Sequence, residues 1–193
     1  MSEGFHRRRG GDVIATFTGF EADLLRSLAA QLVELLRNEA AGGGRSRDPL
    51  EDILDFSGST TAPDDPVLAR LFPNAYRDDD EAAGEFRRFT EAGLRDGKAN
   101  GAAAIIGALE EAGLPEQVSD PTLSIDVELD RAGALDWMKS LTDIRLALAT
   151  RLGIETDEDN ERVVPEDDPR SQVLGIYHWL GYLQETLVQA IHR

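Results

Sequence analysis

LDWMKSLTDIRLALATRLGI, residues 135–154, is the stretch from which the fold can be read. Helical spacing puts Trp137, Leu141, Ile144 and Leu148 on one stripe, and Leu135, Met138, Leu146 and Ala149 on a second. Only a narrow band stays polar: Asp136, Lys139, Ser140, Asp143 and Thr150. A helix that is apolar around most of its girth belongs inside a bundle. Its end is equally legible. Gly153 stands where a left-handed residue is wanted and Ile154 where an apolar residue closes a Schellman stop, with Arg151 in the last turn near the negative end of the dipole.

Upstream of this helix, Asp130 is placed to cap it, and Thr122 to Leu129 alternates strictly, as a half-buried strand does. Asp12 to Phe17 (DVIATF) reads as a second short strand. Two such strands are marginal alone, so they are expected to pair and to clasp the N-terminal helix against the central one. That N-terminal helix spans Glu21 to Leu36, with Leu24, Leu28, Leu32 and Leu35/Leu36 on one face. Asp48-Pro49, Asp65-Pro66 and Asp168-Pro169 read as helix starts, aspartate capping free backbone N–H groups and proline losing no hydrogen bond at the first turn. Short helices are therefore expected at about 49–56 and 66–72. A longer one follows from about Asp79 to Ala112, kinked or broken at Asp96-Gly97 and Asn100-Gly101. Glu155 to Asp168 is an acidic loop, and Arg170 to Ile191 a final helix turning Val173, Ile176/Tyr177, Leu180, Leu183, Leu187 and Ile191 inward. The expected fold is mostly α: a bundle of five or six helices with a small two-stranded β element at about 12–17 and 122–129. A flexible basic tail, 1–11, precedes a single helical domain, 12–193.

The bulk composition limits function. The 193 residues carry 37 acids against 20 bases, a formal charge of −17, which repels phosphate backbones and anionic lipid and favours basic protein partners. No cysteine is present, so disulfides, thiolate metal sites and thiol redox switches are excluded for this chain. No apolar run approaches a membrane span and no signal-peptide core follows Arg7 to Arg9, so a cytoplasmic location is expected.

Chemical motifs are sparse. His6, His178 and His192 form no His-x-x-x-His or Glu-x-x-His pair, so no metal site is expected; His178 reads as a helix-surface residue. Asp157, Asp159, Glu161 and Asp168 fall at positions 1, 3, 5 and 12 of a calcium loop, but Arg162 replaces its glycine and aspartate its bidentate glutamate. A solvated charge run accounts for them better. The glycines of Gly42-Gly43-Gly44 follow a helix and lack the Gly-Lys-Ser/Thr ending of a phosphate loop. No nucleophile elbow, triad or dinucleotide fingerprint occurs.

The most specific local pattern is Asp65-Pro66-Val67-Leu68-Ala69-Arg70-Leu71-Phe72-Pro73-Asn74-Ala75-Tyr76-Arg77-Asp78-Asp79, continuing through Glu85-Phe86-Arg87-Arg88-Phe89 to Leu94-Arg95. It is a short helix, a turn and a second helix capped by aspartate. Glu85–Arg88, Arg87–Glu91 and Glu91–Arg95 sit three or four residues apart, each pair adding a few tenths of a kcal/mol. The segment reads either as a rigid corner with a charged helix face or as an arginine surface of Arg70, Arg77, Arg87, Arg88 and Arg95 offered to a partner. On the central helix Asp143, Arg145 and Arg151 are candidates for structural ion pairing. Arg145 lies beside Met138, Thr142 and Ala149, so its charge requires a partner, for which an acid of the 65–91 segment is expected.

The Asp-Pro-x-x-x-Arg-Leu-x-Pro-x-Ala-Tyr segment, the run from Trp137 through Leu141, Asp143, Arg145 and Arg151 to Ile154, and the closing Tyr182-Leu183-Gln184-Glu185-Thr186-Leu187-Val188 together resemble one family. It is an actinobacterial domain-of-unknown-function family whose described members are AosR-like oxidative-stress transcriptional regulators, and the resemblance spans about Val13 to Ala190. The resemblance implies a cytoplasmic regulator acting with RNA polymerase through a sigma factor, and supplies no catalytic site or cofactor. The reading favoured is a non-enzymatic regulator that binds a protein partner, with a homodimer compatible with it. The alternatives are a divalent-metal enzyme using Asp78–Glu81 or the 155–168 loop, and a structural dimeric adaptor. Direct DNA reading is not expected: the arginine-rich helix is interleaved with Glu85, Glu91 and Asp96, and no basic recognition helix follows a turn.

Overall fold

The structure is a computed structural model that describes residues 3–42, 59–156, 159, 165 and 167–192. Its elements in chain order are β1 (His6–Arg7), β2 (Val13–Thr18), α1 (Gly19–Gly42), α2 (Pro66–Leu71), α3 (Asp80–Glu111), β3 (Ser124–Leu129), α4 (Arg131–Leu152) and α5 (Arg170–His192). Five helices and one small antiparallel sheet thus make up the described residues. The short helix expected at 49–56 and the 42–44 glycine run fall largely or wholly outside them.

Helix α4 is the centre, packed by α1, α2, α3 and α5. Asp130 accepts the Gly133 N–H at 2.7 Å to start it. Gly153, at φ 70°, ends it, donating to the Thr150 carbonyl while Ile154 donates to that of Ala149, the Schellman pattern the sequence encodes. Trp137, Leu141, Ile144 and Leu148 are all buried. Each such side chain withdrawn from water contributes about 1.5–3 kcal/mol. The polar band behaves differently. Ser140 and Asp143 are buried as well, because α3 covers that side.

The two expected strands pair in antiparallel register from Val13↔Leu129 to Thr18↔Ser124, with Val13, Ala15 and Phe17 and their partners Ile125, Val127 and Leu129 facing the core. The sheet nevertheless has three strands. His6↔Ile14 and Arg7↔Val13 add an edge strand from the segment expected to be a frayed tail. The anchor is Phe5, which is buried, edge-on to Phe17 at 5.9 Å and to Trp137 at 5.8 Å, while its N–H donates to Thr186 Oγ1 at 3.0 Å. One aromatic side chain among arginines was outweighed in the sequence by its polar neighbours; in the fold it finds a stacked pair of rings to close on.

Helix α3 corrects a second expectation: it is continuous across Asp96-Gly97 and Asn100-Gly101. At Gly101 a Cβ would stand 2.7 Å from Ser140 Oγ, so that glycine lets α3 approach α4 rather than breaking α3. No helix of the described residues is long and apolar enough to cross a membrane.

Candidate functional site

The Asp65–Arg95 corner is built by local capping. Asp65 Oδ1 accepts from the N–H groups of Val67 and Leu68 at 2.8 and 3.0 Å, Pro66 opens α2, and Asp79 accepts from Ala82 N–H at 2.9 Å to open α3. Val67, Leu68, Leu71 and Phe72 drop into the core, fixing the corner on the body of the protein.

Of the five arginines singled out by sequence, the fold turns two inward. Arg87 is only 5% exposed and donates to Glu91 at 2.6 Å, to Asn74 Oδ1 at 2.8 Å and to the Phe72 carbonyl at 3.2 Å. Arg95 donates to the other oxygen of Glu91 at 2.7 Å and to the Leu36 carbonyl at 3.3 Å, its guanidinium 4.9 Å from the Phe72 ring centre. Together they tie α3 to the turn and to α1. Their spacing with Glu91 marks a helix-surface pair, but the turn at Asn74 meets Arg87 and the Leu36 carbonyl of α1 meets Arg95 on that surface. Arg70 is half-buried, on a small pocket of about 180 Å³ that it shares with Arg145, Tyr177 and Thr142. Arg77 is exposed, and Arg88 is half-exposed beside Glu85 at 3.8 Å and over the Phe89 ring at 5.5 Å.

On α4, Arg145 departs from its expected pairing. Among the described residues no carboxylate reaches it; its Nη1 donates to Gln184 at 2.6 Å and its guanidinium stacks 4.9 Å from Tyr177, leaving Nε buried without a hydrogen-bond partner. Arg145 points to α5, whereas the side of α4 that meets α3 carries Asp143. The charged link between α3 and α4 instead has its base on α3, Lys98 donating to buried Asp143 at 2.6 Å from just beyond the 65–95 segment. Arg151 is exposed and forms no ion pair among the described residues.

The outward side of the corner holds what the sequence reading missed. Tyr76, Phe86, Phe89 and Leu94 are exposed, at 49%, 45%, 65% and 52%, with Tyr76 edge-on to Phe86 at 6.2 Å. The available signal was that Phe86 and Phe89 lie off the stripe of Ala83, Ala102, Ile105 and Leu109 that α3 buries. Large apolar side chains clustered in water mark interaction surfaces.

Among the described residues no group of three or more His, Asp or Glu side chains is arranged to hold a metal ion. Asp78 to Glu81 are exposed, Asp79 being spent on its cap. In the acidic loop, Asp159 accepts from Glu155 N–H, Thr156 N–H and Thr156 Oγ1 as a local turn, and Asp157 and Glu161 lie outside the described residues. Asp168 pairs with Arg170 at 2.6 Å, and that hydrogen-bonded guanidinium lowers its carboxyl from 3.8 to about 2.

Comparison with known proteins gives a consistent result. The oxidative stress regulator AosR of Mycobacterium tuberculosis (strain ATCC 25618 / H37Rv) is 32% identical over 174 residues, covering 87% of this chain and 77% of the regulator. AosR of Mycobacterium bovis matches to the same extent. A Mycobacterium leprae protein whose name likewise carries AosR is 32% identical over 185 residues, covering 89% of this chain and 78% of its own. No solved structure matches. A family model described as a domain of unknown function, DUF2017, matches residues 2–191, and by that near-complete match and the relatives' identity the chain belongs to the DUF2017 family.

Proposed function

We propose that this chain is a non-enzymatic, cytoplasmic regulator that acts by contact with a protein of the transcription machinery, RNA polymerase or a sigma factor. The observation that carries the reading is the exposed aromatic corner of Tyr76, Phe86 and Phe89, a feature of protein-contact surfaces, on a chain whose relatives are oxidative stress regulators. The acidic surface supports contact with a protein over contact with DNA, since a DNA reader gains most of its non-specific affinity by neutralising phosphates. Whatever stress signal reaches this protein, a thiol of this chain does not receive it, because the chain has none.

The test is transcription and gel shift with purified components. The protein alone, at micromolar concentration and physiological salt, leaves promoter DNA unshifted; added with polymerase holoenzyme, it changes the mobility of the promoter complex and the yield of transcript. A sequence-selective shift by the protein alone would overturn the reading, as would indifference to every holoenzyme of its own cell.

A further inference from the structure

The exposed face of α3 continues past the aromatic corner. Phe86, Phe89, Gly93, Gly97, Asn100 and Ala104 recur every three or four residues and form one stripe along the helix. After the two rings the stripe drops to glycine. There α3 and α4 open into a groove of about 670 Å³, walled by Gly93, Leu94, Gly97 and Ala104 on one side and by Met138 and Thr142 on the other.

Gly93 and Gly97 have open space where a Cβ would stand, in contrast to Gly101, whose missing Cβ makes room for Ser140. Glycine inside a helix is a costly choice, and nothing in this fold asks for it at 93 or 97. What the two glycines leave is room for a backbone from outside to come close.

The rim is negative. Asp78, Asp79, Asp80, Glu81 and Glu85 are all exposed around the aromatic end, outnumbering the exposed Arg77 and the half-exposed Arg88 that stand among them. The lysines at the groove end are already neutralised, Lys98 by Asp143 at 2.6 Å and Lys139 by Asp136 at 3.0 Å. On a chain of charge −17, a second copy seated here would bring a like field against this one, whereas a basic partner is drawn in.

We propose that this face docks an amphipathic helix of a partner protein. Its apolar side lies in the groove and against Phe86 and Phe89, and its lysines or arginines face the acidic rim. From Phe86 to Ala104 the stripe is about 27 Å long at 1.5 Å per residue, so the docked helix has about 18 residues. The inference rests on the protein-contact reading above and adds to it the place of contact and the chemistry of the partner.

The probe is a synthetic 18-residue peptide of leucine and lysine with leucines at helical spacing, beside a peptide of the same composition in an order without an apolar face. Fluorescence anisotropy follows both against the wild-type protein, Gly97→Leu, which fills the groove from an open position, and Phe89→Glu; circular dichroism checks that each variant is folded. The patterned peptide is expected to bind the wild type at least tenfold tighter than its control, and each substitution to weaken it at least tenfold. Equal binding of the two peptides, or binding that neither substitution alters, overturns the proposal. A dimer of the protein alone that Gly97→Leu disperses overturns it in favour of a second copy. In the holoenzyme assay, loss of effect in both variants supports this face. Full effect in both removes the face and leaves the protein-contact reading standing. A wild-type protein inert in that assay sinks the reading instead, and the peptide titration then decides the face by itself.

Discussion

Replacing Arg87 by alanine separates an internal strut from a partner-facing arginine. Arg87 is 5% exposed and Glu91 14%, and their 2.6 Å bond is joined by bonds to Asn74 and the Phe72 carbonyl. Removing one member of a buried pair costs about 3–5 kcal/mol, much of it from the charge left behind. Here Arg95 keeps its 2.7 Å bond to Glu91 and some water still reaches that carboxylate. The cost therefore falls to the bottom of that range or below it, about 2–3 kcal/mol, including the acceptors left without a donor. For a chain of this length each kcal/mol shifts the melting midpoint by about 2–4 °C, so a drop of about 4–12 °C is expected. Arg88, whose contact with Glu85 is 3.8 Å long and half in water, supplies the comparison; Arg88→Ala should cost no more than about 1 kcal/mol. Thermal and urea unfolding of both variants, with Glu91→Ala and the Arg87/Glu91 double variant completing a cycle, gives the coupling directly. A midpoint for Arg87→Ala indistinguishable from that of Arg88→Ala, or a coupling energy below about 0.5 kcal/mol, would refute the strut.

Three further outcomes are expected. Gly93→Ala and Gly97→Ala should each stabilise the chain by about 0.5–1 kcal/mol in urea unfolding, because the added methyl meets nothing and the helix gains. Gly101→Ala, 2.7 Å from Ser140 Oγ, should destabilise it by about 1–3 kcal/mol, and the same sign at all three positions would contradict the packing described. Phe5→Ala should cost about 3–5 kcal/mol and release the amides of β1 to hydrogen exchange, whereas a frayed tail would show neither change. The Asp168 carboxyl should titrate near 2 in place of 3.8; since its folded-state value is the lower one, its contribution is present above about pH 4 and is lost as pH falls toward 2. Carboxyl NMR titration follows this, and a midpoint that Arg170→Ala does not raise would exclude the guanidinium as the cause.

A linear reading of the chain contains whatever is decided within a few residues. Asp65, Asp79 and Asp130 cap helices, Gly153 and Ile154 end α4, and alternation at 13–18 and 124–129 sets which side chains of β2 and β3 face the core. Each is a relation between a side chain and backbone or neighbours no more than five residues away, so a linear reading contains it. The absence of cysteine and the excess of acid are likewise complete in the sequence. Tertiary structure alone decided the destination of groups that can satisfy themselves in more than one way. Arg87, Arg88 and Arg95 occupy one helix with similar acidic neighbours, yet Asn74 of the turn draws Arg87 inward and the Leu36 carbonyl of α1 with the Phe72 ring draws in Arg95. Asp143 and Arg145 are two residues apart on α4, and the distant helices they meet give one a lysine and the other a glutamine and a tyrosine ring. Gly97 and Gly101 look alike as helix breakers, yet Ser140, 39 residues beyond Gly101 in the sequence, explains only one of them. The exposed face of Phe86, Phe89 and the two open glycines becomes visible only as what the core leaves over. Burial is a competition among all faces of the chain at once, and no local pattern states its result.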